Sequence, residues 1–149
     1  MARGKLPIVG TSRQRPTTIS AIRLYRFDIP LRENFAISGA SVGRAGNVLV
    51  AIETRDGRIG WGEASPVQRV TGENAESCLA AAGELRGRLL NRDASRIGAC
   101  VAAMERAVPA APTLRSAFDM ALYDLAAQRA GQPLYRFLGR RTKASPLPT

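Results

Sequence analysis

Apolar side chains recur at every second position in residues 19–29, "ISAIRLYRFDI", where Tyr25, Phe27 and Ile29 alternate with Arg26 and Asp28. A period of two predicts a strand with two unlike faces. Upstream, Ile22 and Leu24 take the opposite phase. Residues 30–47, "PLRENFAISGASVGRAGN", then break the alternation with a proline and glycines. They predict a long irregular loop, a class of segment usually functional or disordered in a compact domain. Alternation returns in residues 47–54, "NVLVAIET", with Val48, Val50 and Ile52 on one face. Asp56-Gly57 predicts a tight hairpin with positive φ at both central positions. Residues 58–64, "RIGWGEA", form the returning strand. Its Gly60 and Gly62 leave one face bare beside Trp61, so another backbone or a bulky group can lie there.

After Pro66 the period changes. Thr71 is a candidate N-cap, with Glu73 placed in the first turn where the helix dipole favours an acid. Ala75, Cys78, Leu79, Ala82, Leu85 and Leu89 follow at helical spacing. Asp93 is the expected cap of a second helix carrying Ile97, Val101, Met104 and Val108, ended by "VPAAP". Thr113 opens the third and clearest helix, with Ala117, Met120, Ala121, Asp124, Leu125 and Gln128 on its face. Gly131 and Pro133 stop it, and "LYRFLG" adds a last turn closed by Gly139. The predicted class is α+β: a three-stranded antiparallel meander followed by a bundle of about three helices. The expected division is a basic flexible leader at 1–17, one domain at 18–139 and a linker at 140–149.

Composition narrows the function. A length of 149 residues and 45% hydrophobic content suit one globular domain. No apolar run approaches the ~18–20 residues of a membrane span. The leader lacks the apolar core of a secretory signal. Cys78 and Cys100 both fall on apolar helix phases, which predicts free buried thiols rather than a disulfide framework and favours the cytoplasm. The net charge is +10, and every cation except Lys5 and Lys143 is an arginine. These arginines are scattered, and aromatic residues make up only 5% of the chain, which argues against a nucleic-acid face.

Catalytic machinery is sparse. The chain has no histidine, which excludes His-based triads and His metal sites. It has no phosphate loop of the GxxxxGK[ST] type, and the glycines of "GRIGWG" lack the strand-to-helix context of a dinucleotide fingerprint. Both lysines sit in the terminal segments. Among the carboxylates, Glu63 ends a strand, while Asp119 and Asp124 lie about 140° apart around one helix and do not form a pair. These three read chiefly as hydrogen-bonded structural acids. No catalytic residue and no metal ligand is expected within this chain.

The order and spacing of "IPLRENFAIS" (29–38), "NVLVAIETRDGRIGWGEASP" (47–66), "TGE" (71–73), "SAFDMALYDLAAQRAGQPLYRFLG" (116–139) and the terminal "PT" carry a family resemblance. The chain resembles the N-terminal capping domain of the enolase superfamily, in its muconate-lactonizing and dipeptide-epimerase branch, over about residues 19–149. The resemblance implies a lid over a (β/α)8-type barrel. The barrel holds Mg²⁺ and lysine bases that abstract a proton α to a carboxylate, with the metal stabilising the enediolate. The sequence ends where the first barrel strand is expected. The chain alone, whether a fragment, a truncated product or a separately made lid, is therefore expected to be inactive.

The resemblance also implies two lid loops that shape the substrate pocket. The first maps to residues 35–44. There Phe35 and Ile37 offer apolar cover, Ser38 lies between them and the rest of the loop, and Arg44 is the cation that can meet a substrate carboxylate. The second maps to residues 64–70, with Pro66 and Val67 as candidate contacts. Thr149 is placed by the same resemblance near the substrate at the start of the barrel. For each of these residues, packing within the lid or simple solvation is the competing reading.

The leading expectation is the specificity domain of an L-Ala-D/L-Glu-type dipeptide epimerase, an isomerase that takes a small carboxylate or dipeptide substrate. Its partners would be its own barrel or another protomer, in a possible homo-oligomer without nucleic acid or membrane. Muconate cycloisomerase and mandelate racemase or acid-sugar dehydratase-like enzymes are alternatives. A non-catalytic basic binding module, or a protein that docks on another chain's barrel, is the alternative from a different class.

Overall fold

The computed structural model describes residues 15–37 and 40–139, and side chains within that range except 33–42. Three strands, β1 (Ile19–Ile37), β2 (Ala40–Thr54) and β3 (Ile59–Ala64), form an antiparallel meander in the order β1-β2-β3. Five helices follow: α1 (Gln68–Thr71), α2 (Ala75–Leu89), α3 (Ile97–Ala107), α4 (Pro112–Arg129) and α5 (Leu134–Phe137). The class is α+β, as the periodicity predicts. None of the described helices is long and apolar enough to cross a membrane.

The core lies between one sheet face and the helices. Ile22, Val48, Val50 and Ile52 point into it from the sheet. Leu85 and Leu89 of α2, Met104 of α3, and Leu114, Phe118, Leu122 and Leu125 of α4 meet them. Full burial of a side chain such as Phe118 is worth about 1.5–3 kcal/mol. Both cysteines are free and buried. In β1 the core phase belongs to Ile22, while Tyr25, Phe27 and Ile29 stand on the outer face, each more than a third exposed. There Tyr25 meets Trp61 with ring centroids 6.2 Å apart. On α4, Phe118 and Leu122 occupy the core and Met120, placed on the buried face by the sequence, is 39% exposed.

The glycine pair of β3 is where sheet and helix approach most closely. A Cβ built on Gly60 would lie 2.1 Å from the Ala121 carbonyl oxygen, and one on Gly62 would lie 1.9 Å from that of Ala117. The backbone of α4 therefore rests directly on the bare face of β3. The same helix grips the strand's edge through polar side chains. Asp124 Oδ2 accepts from the Trp61 N–H at 3.0 Å, and the Gln128 amide donates to the Ile59 carbonyl at 2.7 Å. An edge strand thus has backbone groups satisfied by a helix.

The hairpin after β2 differs in detail from its expected form. Gly57 has φ 81°, but Asp56 is not at positive φ. The Gly57 N–H donates to the Thr54 carbonyl and the Thr54 N–H to the Arg58 carbonyl. This is a three-residue loop with glycine in the left-handed position rather than a two-residue turn. Asp56 accepts from Thr54 Oγ1, Arg58 and Arg129. Burial favours its neutral form, yet these donors together hold its carboxyl below the usual range.

Helix starts also depart from sequence expectation. The cap of α2 is Asn74, which forms a reciprocal capping box with Ser77, not Thr71. Asp93 does not cap α3 directly. Its carboxylate accepts from the Ser95 N–H and hydroxyl, three residues or fewer before the helix begins, and from Arg15 at 3.1 Å. Burial pushes the Asp93 carboxyl up, but hydrogen bonds from Ser95 and Thr17, with Arg15, outweigh it and hold the group well below the carboxylate range. A folded pKa below the unfolded value of about 3.9 means stability present above that pH and lost as pH falls beneath it. The melting temperature is therefore expected to drop on acidification from pH 5 to pH 2. Asp93→Asn should flatten that drop in a calorimetric pH series, and an unchanged slope would exclude the assignment.

Candidate lid and its anchoring

Residues 30–47 form no open loop. They belong to a two-stranded ribbon in which Pro30 pairs with Arg44, Phe35 with Val42, and Ile37 with Ala40. The sequence hid this because the register slips between Pro30 and Phe35. Four residues of β1, 31–34, face the single Gly43 of β2 there, so extra residues bulge out and the period of two is lost. The last pair of β2 with β3 is Val48 with Ala64. Beyond it the ribbon continues eight residues to Ala40 without a third strand, an overhang of about 26 Å at roughly 3.3 Å per residue. A two-stranded ribbon has little stability of its own.

The second segment leaves from the same end. β3 runs antiparallel to β2, so its exit at Ala64 heads in the direction of the ribbon tip. Residues 65–67 and α1 follow, with Pro66 and Val67 half-buried and Val70 67% exposed. The structure thus brings the two predicted lid segments to one end of the sheet. Arg44 lies in β2 opposite Pro30 and is exposed. Phe35 and Ile37 are placed near the ribbon tip by their backbone register. Ser38 and Thr149 lie outside the described residues, as do the leader through residue 14 and the tail from residue 140.

Two polar contacts hold this end of the sheet. Asn47, 6% exposed, donates its side-chain amide to Glu63 Oε1 at 2.5 Å, across the strands where the ribbon leaves the sheet. Glu63 is thus a satisfied strand-end acid. The other contact was not legible in the sequence. Glu73, which closes the second segment, is 4% exposed, and its carboxylate accepts from the backbone N–H groups of Thr113 at 2.8 Å and Leu114 at 3.3 Å. α4 has no acidic residue in its first turn and no side-chain cap of its own. Glu73 supplies both from a distant segment, satisfying orphan donors and complementing the dipole. The Cys78 thiol also donates to Glu73 Oε1 at 3.8 Å. Burial first, and then the Glu73 charge, push that thiol up to about 11.

Among the described residues no group of three His, Cys, Asp or Glu side chains is placed to hold a metal ion. Asp119 is half-buried, and burial raises its pKa. Asp124 is committed to the edge of β3. Neither faces the lid segments through a contact in the structure. The residues present therefore do not fit a Mg²⁺ centre, and no chemical step is assigned to one here.

Comparison with known proteins agrees with this geometry. Residues 21–139 match the family model described as "Mandelate racemase / muconate lactonizing enzyme, N-terminal domain". An L-Lys-D/L-Arg epimerase of Methylococcus capsulatus is 40% identical over 129 residues, which are 86% of this chain and 36% of that protein. Among solved structures, a dipeptide epimerase from Cytophaga hutchinsonii complexed with Mg and D-Ala-L-Val superposes with a TM-score of 0.82 at 36% identity, covering 85% of this chain and 34% of that one. The substrate-liganded L-Ala-D/L-Glu epimerase from Bacillus subtilis gives 0.77 at 32% identity, covering 82% and 34%. The chain spans about a third of the length of the curated relatives it matches.

Proposed function

Because the chain belongs to the mandelate racemase / muconate lactonizing enzyme N-terminal domain family, we propose that it is the capping and specificity domain of a dipeptide epimerase. One observation carries this reading. The ribbon tip and the segment after Ala64 leave the same end of the sheet, pinned there by the register of Val48 with Ala64. Two loops at one end of a rigid base can close on a ligand that a second domain holds. Closure excludes water and strengthens polar contacts to the substrate.

In this reading the lid contributes shape and charge, and proton abstraction belongs to groups on another domain, with Mg²⁺ held there as well. Phe35, Ile37, Pro66 and Val67 are the proposed apolar cover, and Ser38 and Thr149 are further proposed substrate contacts. Arg44 is exposed on the ribbon and pairs with an acidic substrate group. That favours dipeptides of the L-Ala-D/L-Glu type over cationic ones.

The test is deuterium exchange at the substrate α-carbon, followed by proton NMR in D2O with Mg²⁺ present. The chain alone is expected to give none with L-Ala-L-Glu or L-Lys-L-Arg. A chimera that carries this chain ahead of the remaining sequence of the Methylococcus capsulatus relative is expected to exchange L-Ala-L-Glu. Arg44→Ala in the chimera should raise KM for L-Ala-L-Glu about 10-fold with kcat little changed, the signature of lost uniform binding. Turnover by the isolated chain, or a folded chimera indifferent to every lid substitution, would overturn the proposal.

A further inference from the structure

At the opposite end of α2 from the lid lies a small cleft that the capping role does not use. Arg88 and Arg92 line it together with Ala103, Arg106 and Ala107 of α3, and this solvent-open cleft has a volume of about 190 Å³. Cavities for drug-sized ligands run to about 300–1,000 Å³, so this one suits a small ion. Arg88 lies some 20 Å along α2 from its Asn74 cap at 1.5 Å per residue, well away from residues 64–73.

The charges in the cleft are only partly answered. Arg88 meets Glu84 at 3.3 Å on the exposed helix surface. Arg92 donates its Nε–H to the Arg88 carbonyl at 2.6 Å, which orients the guanidinium and leaves its terminal nitrogens uncommitted among the described residues. Arg106 has no hydrogen-bond or ion-pair partner among the described residues. Arg88 and Arg106 stand in the last turns of α2 and α3, where each helix end presents roughly half a negative charge. Three guanidinium charges against one carboxylate and two half-charges leave roughly one positive charge unanswered. Planar, multi-donor guanidinium groups around a small volume match a phosphate group in charge and hydrogen-bond geometry.

We propose that the Arg88–Arg92–Arg106 cleft binds a phosphate group. The phosphate can come from free inorganic phosphate or pyrophosphate, or from a small phosphate ester. Glycerol phosphate serves as the ester probe, and titration calorimetry at low salt ranks it against the two inorganic anions. Saturable binding of at least one of the three supports the site, and the ranking identifies the source. Arg106→Gln is expected to weaken binding at least 10-fold, and Arg92→Gln to do the same. Arg55→Gln, an exposed arginine on the β2–β3 turn, is expected to leave binding unchanged. Arg106 makes no hydrogen bond or ion pair among the described residues, so its variant remains informative if Arg92→Gln is unstable. Equal weakening by Arg55→Gln would reduce the effect to diffuse charge and overturn the proposal. So would absence of saturable binding in the unaltered chain. A role confined to neutralising helix ends would also overturn it, seen as a lower melting temperature in the variants with no dependence on phosphate in any of them.

Discussion

Gly62→Ala is expected to destabilise the domain by about 3 kcal/mol or more, at the upper end of what overpacking costs. The new Cβ would sit 1.9 Å from the Ala117 carbonyl oxygen and 2.9 Å from its carbon. Side-chain clashes relax by rotamer change, but here the obstacle is helix backbone. α4 has to move away from β3 or β3 has to bend. Either movement also stretches the bonds from Asp124 to the Trp61 N–H and from Gln128 to the Ile59 carbonyl. Gly60→Ala meets the Ala121 carbonyl oxygen at 2.1 Å and the Leu125 side chain at 2.6 Å, and should behave similarly. By contrast, Gly83→Ala on α2 meets nothing within 4 Å and should be neutral or slightly stabilising through helix propensity. Urea denaturation of the three variants checks the contrast. Gly62→Ala falling within 1 kcal/mol of Gly83→Ala would show that the β3–α4 approach is looser than described.

Glu73→Ala is expected to cost about 2–3 kcal/mol. The carboxylate is buried and accepts two backbone N–H groups at the start of α4, and hydrogen bonds to charged groups contribute about 1.5–3 kcal/mol. Alanine leaves the buried Leu114 donor and the half-buried Thr113 donor without this partner, and Glu73→Gln turns one accepting atom into a donor facing donors. A second readout separates this role from generic loss of packing. The Cys78 thiol is raised to about 11 chiefly by burial and next by the Glu73 charge. In Glu73→Gln it should titrate lower, yet stay above its ordinary range because burial remains. An unchanged thiol titration together with unchanged stability would remove Glu73 from this position. If the capping role is correct, the same variant in the chimera should also raise KM, because Glu73 ties the end of the second lid segment to α4.

Periodicity read the class, the element order and most of the core directly. It found the three strands because Val48, Val50 and Ile52 alternate cleanly, and α2 because its apolar spacing is regular. The glycines at 60 and 62 announced a backbone approach, and α4 supplies it. The same reasoning failed at residues 30–47, where a bulge within β1 erased the period that the ribbon retains in its pairing. It also left the two faces of β1 undecided. Tyr25 and Phe27 are the larger apolar groups, but the helices lie over Ile22, and which face receives the helices depends on the crossover after β3. On α4 the apolar spacing put Met120 on the buried face and passed over Phe118, whereas the packing buries Phe118 and exposes Met120.

The candidate site divides along the same line. The resemblance picked out segments 35–44 and 64–70 from short motifs, and Arg44, Pro66 and Val67 were named on that basis alone. That these segments share one end of the sheet follows from strand register, which no local pattern states. Glu73 looked like a first-turn acid of α2, since it stands one residue before Asn74. Its actual partners are the N–H groups of Thr113 and Leu114, some 40 residues away. The sequence by itself determined what local energetics control: the regular parts of the strands, the three long helices, the left-handed turn at Gly57 and the bare face of β3. Only the tertiary structure decided which apolar face is buried, how far the ribbon overhangs and which helix Glu73 caps. Those outcomes depend on contacts between segments distant in the chain, and a buried carboxylate takes whichever donors the packing leaves unsatisfied.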